Sequence, residues 1–129
     1  MNEVTKLIWL KRLLIFKILV VALLWGLPTW LAPEGVLRIF GETLPNPPLY
    51  MRIFGATQIG LVFLYWFAYQ YPIKNRDVIR YAVIDNSIAF LTLMGYAATV
   101  GITNLLGWLS AALLLFFAIA FYILTPKAS

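Results

Sequence analysis

Residues 28–60 read PTWLAPEGVLRIFGETLPNPPLYMRIFGATQIG, a proline-rich stretch set between two long apolar runs. It holds Pro28, Pro33, Pro45, Pro47 and Pro48, five of the seven prolines, so helix has to stop on both sides of it. It also contains an echo: Arg38-Ile39-Phe40-Gly41-Glu42-Thr43 returns as Arg52-Ile53-Phe54-Gly55-Ala56-Thr57. Between Pro33 and Pro45, residues Val36, Leu37, Phe40 and Leu44 fall within one broad helical face, while Arg38 and Glu42 stack four apart on another. The spacing predicts a short amphipathic helix over 34–43, lying at a membrane interface.

Working outward, the flanking runs read as membrane spans. A bilayer core of about 30 Å needs about 20 helical residues, and residues 13–31, 50–71, 78–100 and 105–124 each approach or exceed that length. Lys17 interrupts the first run near its start, where a lysine can snorkel to the interface. Trp25, Pro28 and Trp30 mark its far boundary as an aromatic belt would. A signal peptide is the competing reading of the N-terminus, but the run exceeds the usual apolar core of such a peptide and no Ala-x-Ala-like site follows. The expectation is an all-α single domain over 1–129: a four-transmembrane-helix bundle with a short interfacial helix between the first and second spans.

Lys6, Lys11, Arg12, Lys74, Arg76, Arg80 and Lys127 cluster at one set of span ends. Arg38 and Arg52 lie at the other set, together with Glu34 and Glu42. The positive-inside rule then places both termini in the cytoplasm of a bacterial or archaeal cell membrane. The net charge of +5 follows from these span-end residues, which argues against a nucleic-acid partner. With 63% hydrophobic and 12% charged residues, the chain lacks the polar surface that a soluble domain of 129 residues needs. It has neither cysteine nor histidine, which removes disulfides, thiolate metal sites, the usual haem ligands and the commonest general base. No metal site is expected.

Chemistry must then come from the few polar residues inside the spans. Asp85 lies about 10 Å inside the third span at 1.5 Å per residue, and a carboxylate there needs a partner or a function. Asn86 beside it needs hydrogen bonds. Lys17 enters the first span to a comparable depth, so an Asp85–Lys17 pair is one expectation, and a tyrosine partner such as Tyr65 or Tyr69 is another. Gln58 is a further polar group within a span. These residues (Asp85, Asn86, Gln58, Lys17 and Tyr65) are the candidate buried polar or ligand-binding set, with interhelical packing glue as the plainer alternative. Glu34, Arg38, Glu42 and Arg52 form a candidate charged cluster on the outer side. Ala56 and Gly60 make a small-xxx-small pair that would let helices approach closely.

The Trp25-Gly26-Leu27-Pro28 end of the first span, the amphipathic piece around Phe40-Gly41, the Arg52-Ile53-Phe54-Gly55-Ala56 opening and the Asn75-Arg76 connector together resemble the DoxX-like superfamily. This is a group of small four-helix membrane proteins that includes BphX-like relatives. The resemblance implies an accessory subunit or assembly factor of a larger membrane complex, redox- or quinone-linked, with other membrane subunits or a second copy as partners. It carries over no catalytic residue. Two other readings stay open. One is a protein that binds an apolar ligand, lipid or quinone through Gln58, Tyr65, Asp85 and Asn86. The other is a membrane isomerase-like enzyme using Asp85 or Glu42, by architectural analogy alone. Membrane lipid is a partner in each, and no intrinsic cofactor is implied beyond a bound lipid or quinone.

Overall fold

A computed structural model describes residues 2–39 and 41–127, and among them the regular structure is entirely helical. Helix α1 (Glu3–Val20) is capped by the Asn2 side chain, which accepts from the Thr5 N–H at 2.8 Å. A π-helical turn (Val21–Gly26) continues it into α2 (Leu27–Leu31). Pro28 explains the widening. It has no N–H to give the Leu24 carbonyl, and its ring crowds that carbonyl, so the turn opens and the Leu27 N–H bonds to Ala22 O instead. The three segments form one rod.

Helix α3 (Glu34–Ile39) is shorter than the predicted 34–43. Gly41 adopts φ +78°; its N–H bonds to Arg38 O at 3.0 Å, and the Glu42 N–H bonds to Leu37 O at 3.0 Å. This is a Schellman-type stop, which a glycine provides without steric cost. Of the expected apolar face, Leu37 is buried and Val36 is exposed, while Phe40 lies outside the described residues.

Helices α4 (Leu49–Gln70), α5 (Arg76–Thr99) and α6 (Leu105–Leu124) are long and apolar enough to cross a membrane. Only 17%, 17% and 22% of their most apolar windows are buried inside the protein, so most of that apolar surface requires an apolar surrounding. The expected first span is not a fourth member of this set. Its helix is divided at Val21–Gly26, and α1 carries Glu3, Lys6, Lys11, Arg12 and Lys17.

The rod lies along α4 over all three of its segments, with its α1 part also against α6, and α5 and α6 pair as a hairpin. Helix α5 therefore stands diagonally across from the rod, and it meets α4 only sparsely. Two glycines set the rod-to-α4 approach. A Cβ on Gly26 would lie 2.7 Å from Ile59 Cδ1, and one on Gly55 would collide with the Trp30 backbone. The expected Ala56–Gly60 pair plays no such part: both residues are exposed, and a Cβ on Gly60 would meet nothing.

The core gathers at the end nearest the 71–75 connector. Leu10, Leu13 and Leu14 of α1 meet Tyr65 and Ala68 of α4, Ile79 and Ala82 of α5, and Phe117, Phe121 and Leu124 of α6. The rings of Tyr65 and Phe121 stack at 6.3 Å and 3°. Toward the other end the helices part around a half-open space.

Candidate functional site

That space is a cavity of about 530 Å³, within the size range of small-molecule sites. Its walls come from the π turn of the rod (Val21, Leu24), from α4 (Phe54, Leu61), from α5 (Ala89, Leu93) and from α6 (Leu106, Leu114). Most of the lining is apolar. All five candidate buried polar residues, Lys17, Gln58, Tyr65, Asp85 and Asn86, border this one cavity.

Lys17 decides the character of its inner end. It sits on the buried stripe Leu10, Leu13, Leu14, Lys17, Val21, whose helical spacing turns it inward. It is 2% exposed, so it does not snorkel to an interface. Its Nζ donates to Asn86 Oδ1 at 2.7 Å and lies 4.3 Å, 4.8 Å and 5.7 Å from the ring centroids of Phe117, Trp25 and Tyr65. Three aromatic faces thus replace part of the ammonium's hydration. Asn86 is fully buried, and its amide nitrogen donates in turn to Ala82 O at 2.6 Å. The bond from Lys17 to Asn86 spans the bundle diagonal.

The expected Asp85–Lys17 ion pair is not formed: among the described residues neither side chain takes part in an ion pair. Asp85 is half-buried and borders the cavity beside the Lys17–Asn86 bond. A one-residue step along a helix turns the side chain by about 100°, which brings Asn86 rather than Asp85 onto Lys17. The Tyr65 hydroxyl is fully buried and has no hydrogen-bond partner among the described residues, an uncommon state for a buried donor.

The outer-side residues do not form one cluster. Glu34 and Arg38 pair at 3.1 Å on the exposed surface of α3. Arg52 donates to Thr29 O at 3.2 Å and Ala32 O at 2.7 Å, covering the last carbonyls of α2 with a positive charge. Glu42 accepts from Asn104 Nδ2 at 3.0 Å and borders the cavity, and Asn104 also caps α6 through the Gly107 N–H at 2.6 Å. Fourteen helical steps of α5, roughly 20 Å, separate Asp85 from Thr99, at the end of the bundle where Asn104 holds Glu42. Asp85 and Glu42 therefore cannot act on the same atom.

Several site residues escape a reading of the sequence alone. Trp25 reads as a belt residue, yet its indole N–H donates to Ser110 Oγ at 2.9 Å and its ring faces Lys17. Phe117 is one of many apolar residues of the run 105–124, and it is fully buried against the ammonium. The stripe spacing of Lys17 was the available signal for the cage; nothing local marks Ser110 or Asn104. No group of acidic residues that could hold a metal ion occurs among the described residues.

Among the described residues the regular structure is all helical, with three helices able to cross a membrane and a largely apolar cavity with a polar inner end. No protein-family model, curated protein or solved structure matches the chain.

Proposed function

We propose that this is a membrane protein that holds an apolar molecule with a polar head inside its helical bundle. The observation that carries the reading is the cavity of about 530 Å³, mostly apolar, with Lys17, Tyr65, Asp85 and Asn86 at one end. Apolar walls with a few convergent polar groups are the usual composition of a small-molecule site. The alternative role as an accessory subunit of a larger complex draws on the outward apolar faces, which acyl chains satisfy equally well. The resemblance to the DoxX-like superfamily rests on its sequence features alone.

Filling the cavity tests the reading. Ala89 borders it from α5, and Ala89→Trp is expected to lower the amount of co-purifying lipid-soluble compound at least about tenfold. Mass spectrometry of organic extracts from purified, monodisperse protein would measure it. An unchanged extract from the variant would overturn the proposal, and a stoichiometric protein partner in its place would favour the subunit role.

The divided rod completes the architecture as a fourth span in this reading. Beyond Lys17 it carries no charge as far as Leu31, and Lys17 itself is turned into the bundle. Both termini then lie on the basic side, in the cytoplasm. Reporter fusions after Asp77 and after Lys127 are expected to score cytoplasmic alike, and opposite scores would refute four spans.

A further inference from the structure

The inner end of the cavity specifies the head group of its ligand, an inference that rests on the reading above. Two donors there are left over. The Tyr65 hydroxyl, fully buried, has no acceptor among the described residues. The Lys17 ammonium has three N–H bonds and, among the described residues, makes one hydrogen bond, to Asn86 Oδ1. Lys17 Nζ lies 5.7 Å from the Tyr65 ring centroid, so the two side chains are neighbours at this end of the cavity. The Asn86 amide keeps one N–H and one lone pair beyond its bonds to Ala82 O and Lys17, but among the described residues neither is bonded to the Tyr65 hydroxyl. Among the described residues no acceptor takes up these donors: the Asp85 carboxylate borders the same cavity but pairs with neither.

Charge narrows the choice. Lys17 and Asp85 border the same cavity with opposite formal charges, so the protein's own groups are balanced there. An anionic head would add an uncompensated charge in an apolar surrounding, beside a carboxylate. An uncharged carbonyl oxygen adds none, and its two lone pairs can receive both donors. The rest of the cavity, bounded by Val21, Leu24, Leu61, Ala89 and Leu93, suits a hydrocarbon chain.

We propose that the cavity takes an uncharged long-chain carbonyl compound, head inward, with its carbonyl oxygen accepting from the Tyr65 hydroxyl and the Lys17 ammonium. The chain runs toward the Glu42 end. Ligand and protein exchange no covalent bond.

The test uses the full chain in lipid nanodiscs with tritiated methyl palmitate as probe, competed by unlabelled hexadecane and by palmitate at neutral pH. Methyl palmitate is expected to bind at least about fivefold more tightly than hexadecane, the worth of one net hydrogen bond. Tyr65→Phe keeps the ring and removes the donor. It is expected to erase about that factor for methyl palmitate while leaving hexadecane competition unchanged. Palmitate competing more strongly than methyl palmitate would overturn the uncharged head. Equal affinities for the ester and the alkane, or a Tyr65→Phe variant with unaltered preference, would overturn the anchoring. Either failure leaves the cavity reading intact so long as Ala89→Trp still removes the native extract.

Discussion

Replacing Asn86 by leucine is expected to destabilise the protein by about 3 kcal/mol, because it strips a buried ammonium of its hydrogen-bond acceptor. Interhelical hydrogen bonds between neutral groups in membranes average well under 1 kcal/mol. This one differs because the donor is charged, 2% exposed, and without an ion pair among the described residues. The three surrounding rings supply only part of what water would. Lys17→Met removes the charge at similar volume and is expected to be neutral or stabilising, as when buried ionic groups are replaced by apolar ones. The double variant, Lys17→Met with Asn86→Leu, should therefore recover most of the loss. Asp85→Asn serves as the contrast. It leaves the Lys17–Asn86 bond in place and should shift stability by about 1 kcal/mol or less. Reversible unfolding in bicelles gives all four values, and the cycle isolates the coupling. Additive effects of the Lys17 and Asn86 changes would show that the diagonal bond carries no energy.

A second large effect is expected at Gly55, where one methyl group should cost about 2–3 kcal/mol, the range for overpacking a tight contact. The atoms in the way belong to the Trp30 backbone and to Thr29 Oγ1, and backbone cannot swing aside as a long side chain can. The rod would have to move off α4 and disturb the Arg52 bonds to Thr29 O and Ala32 O. Gly60→Ala makes the comparison sharp. Its Cβ meets nothing, so the change should stabilise α4 by up to about 1 kcal/mol through helix propensity. Thermal unfolding in one detergent should move in opposite directions for the two variants. Movement in the same direction would mean that the close approach of rod and α4 is not what Gly55 provides.

The two sets of residues also show where sequence reading stops. Helix α4 was expected at 50–71 and runs Leu49–Gln70; α6 was expected at 105–124 and runs Leu105–Leu124. Apolar run length, proline stops and basic flanks are local quantities, and they define a helix whatever it packs against. The stop at Gly41 is local too, but a proline at 45 made the longer helix equally acceptable until the glycine's positive φ ended it.

Which of two adjacent polar residues meets a lysine on another helix is not local. Asp85 and Asn86 differ by one step of helix rotation, and the diagonal placement of α5 across from the rod decided that Asn86 takes Lys17. The same holds for Gly55 over Ala56–Gly60, since small residues permit close approach on any face and only the partner helix selects one. Apolar run length and composition along the chain thus determined that the protein is helical and that it is built for an apolar surrounding. The tertiary structure decided that its polar residues gather at one end of a cavity, because rotation and diagonal pairing are properties of several helices at once.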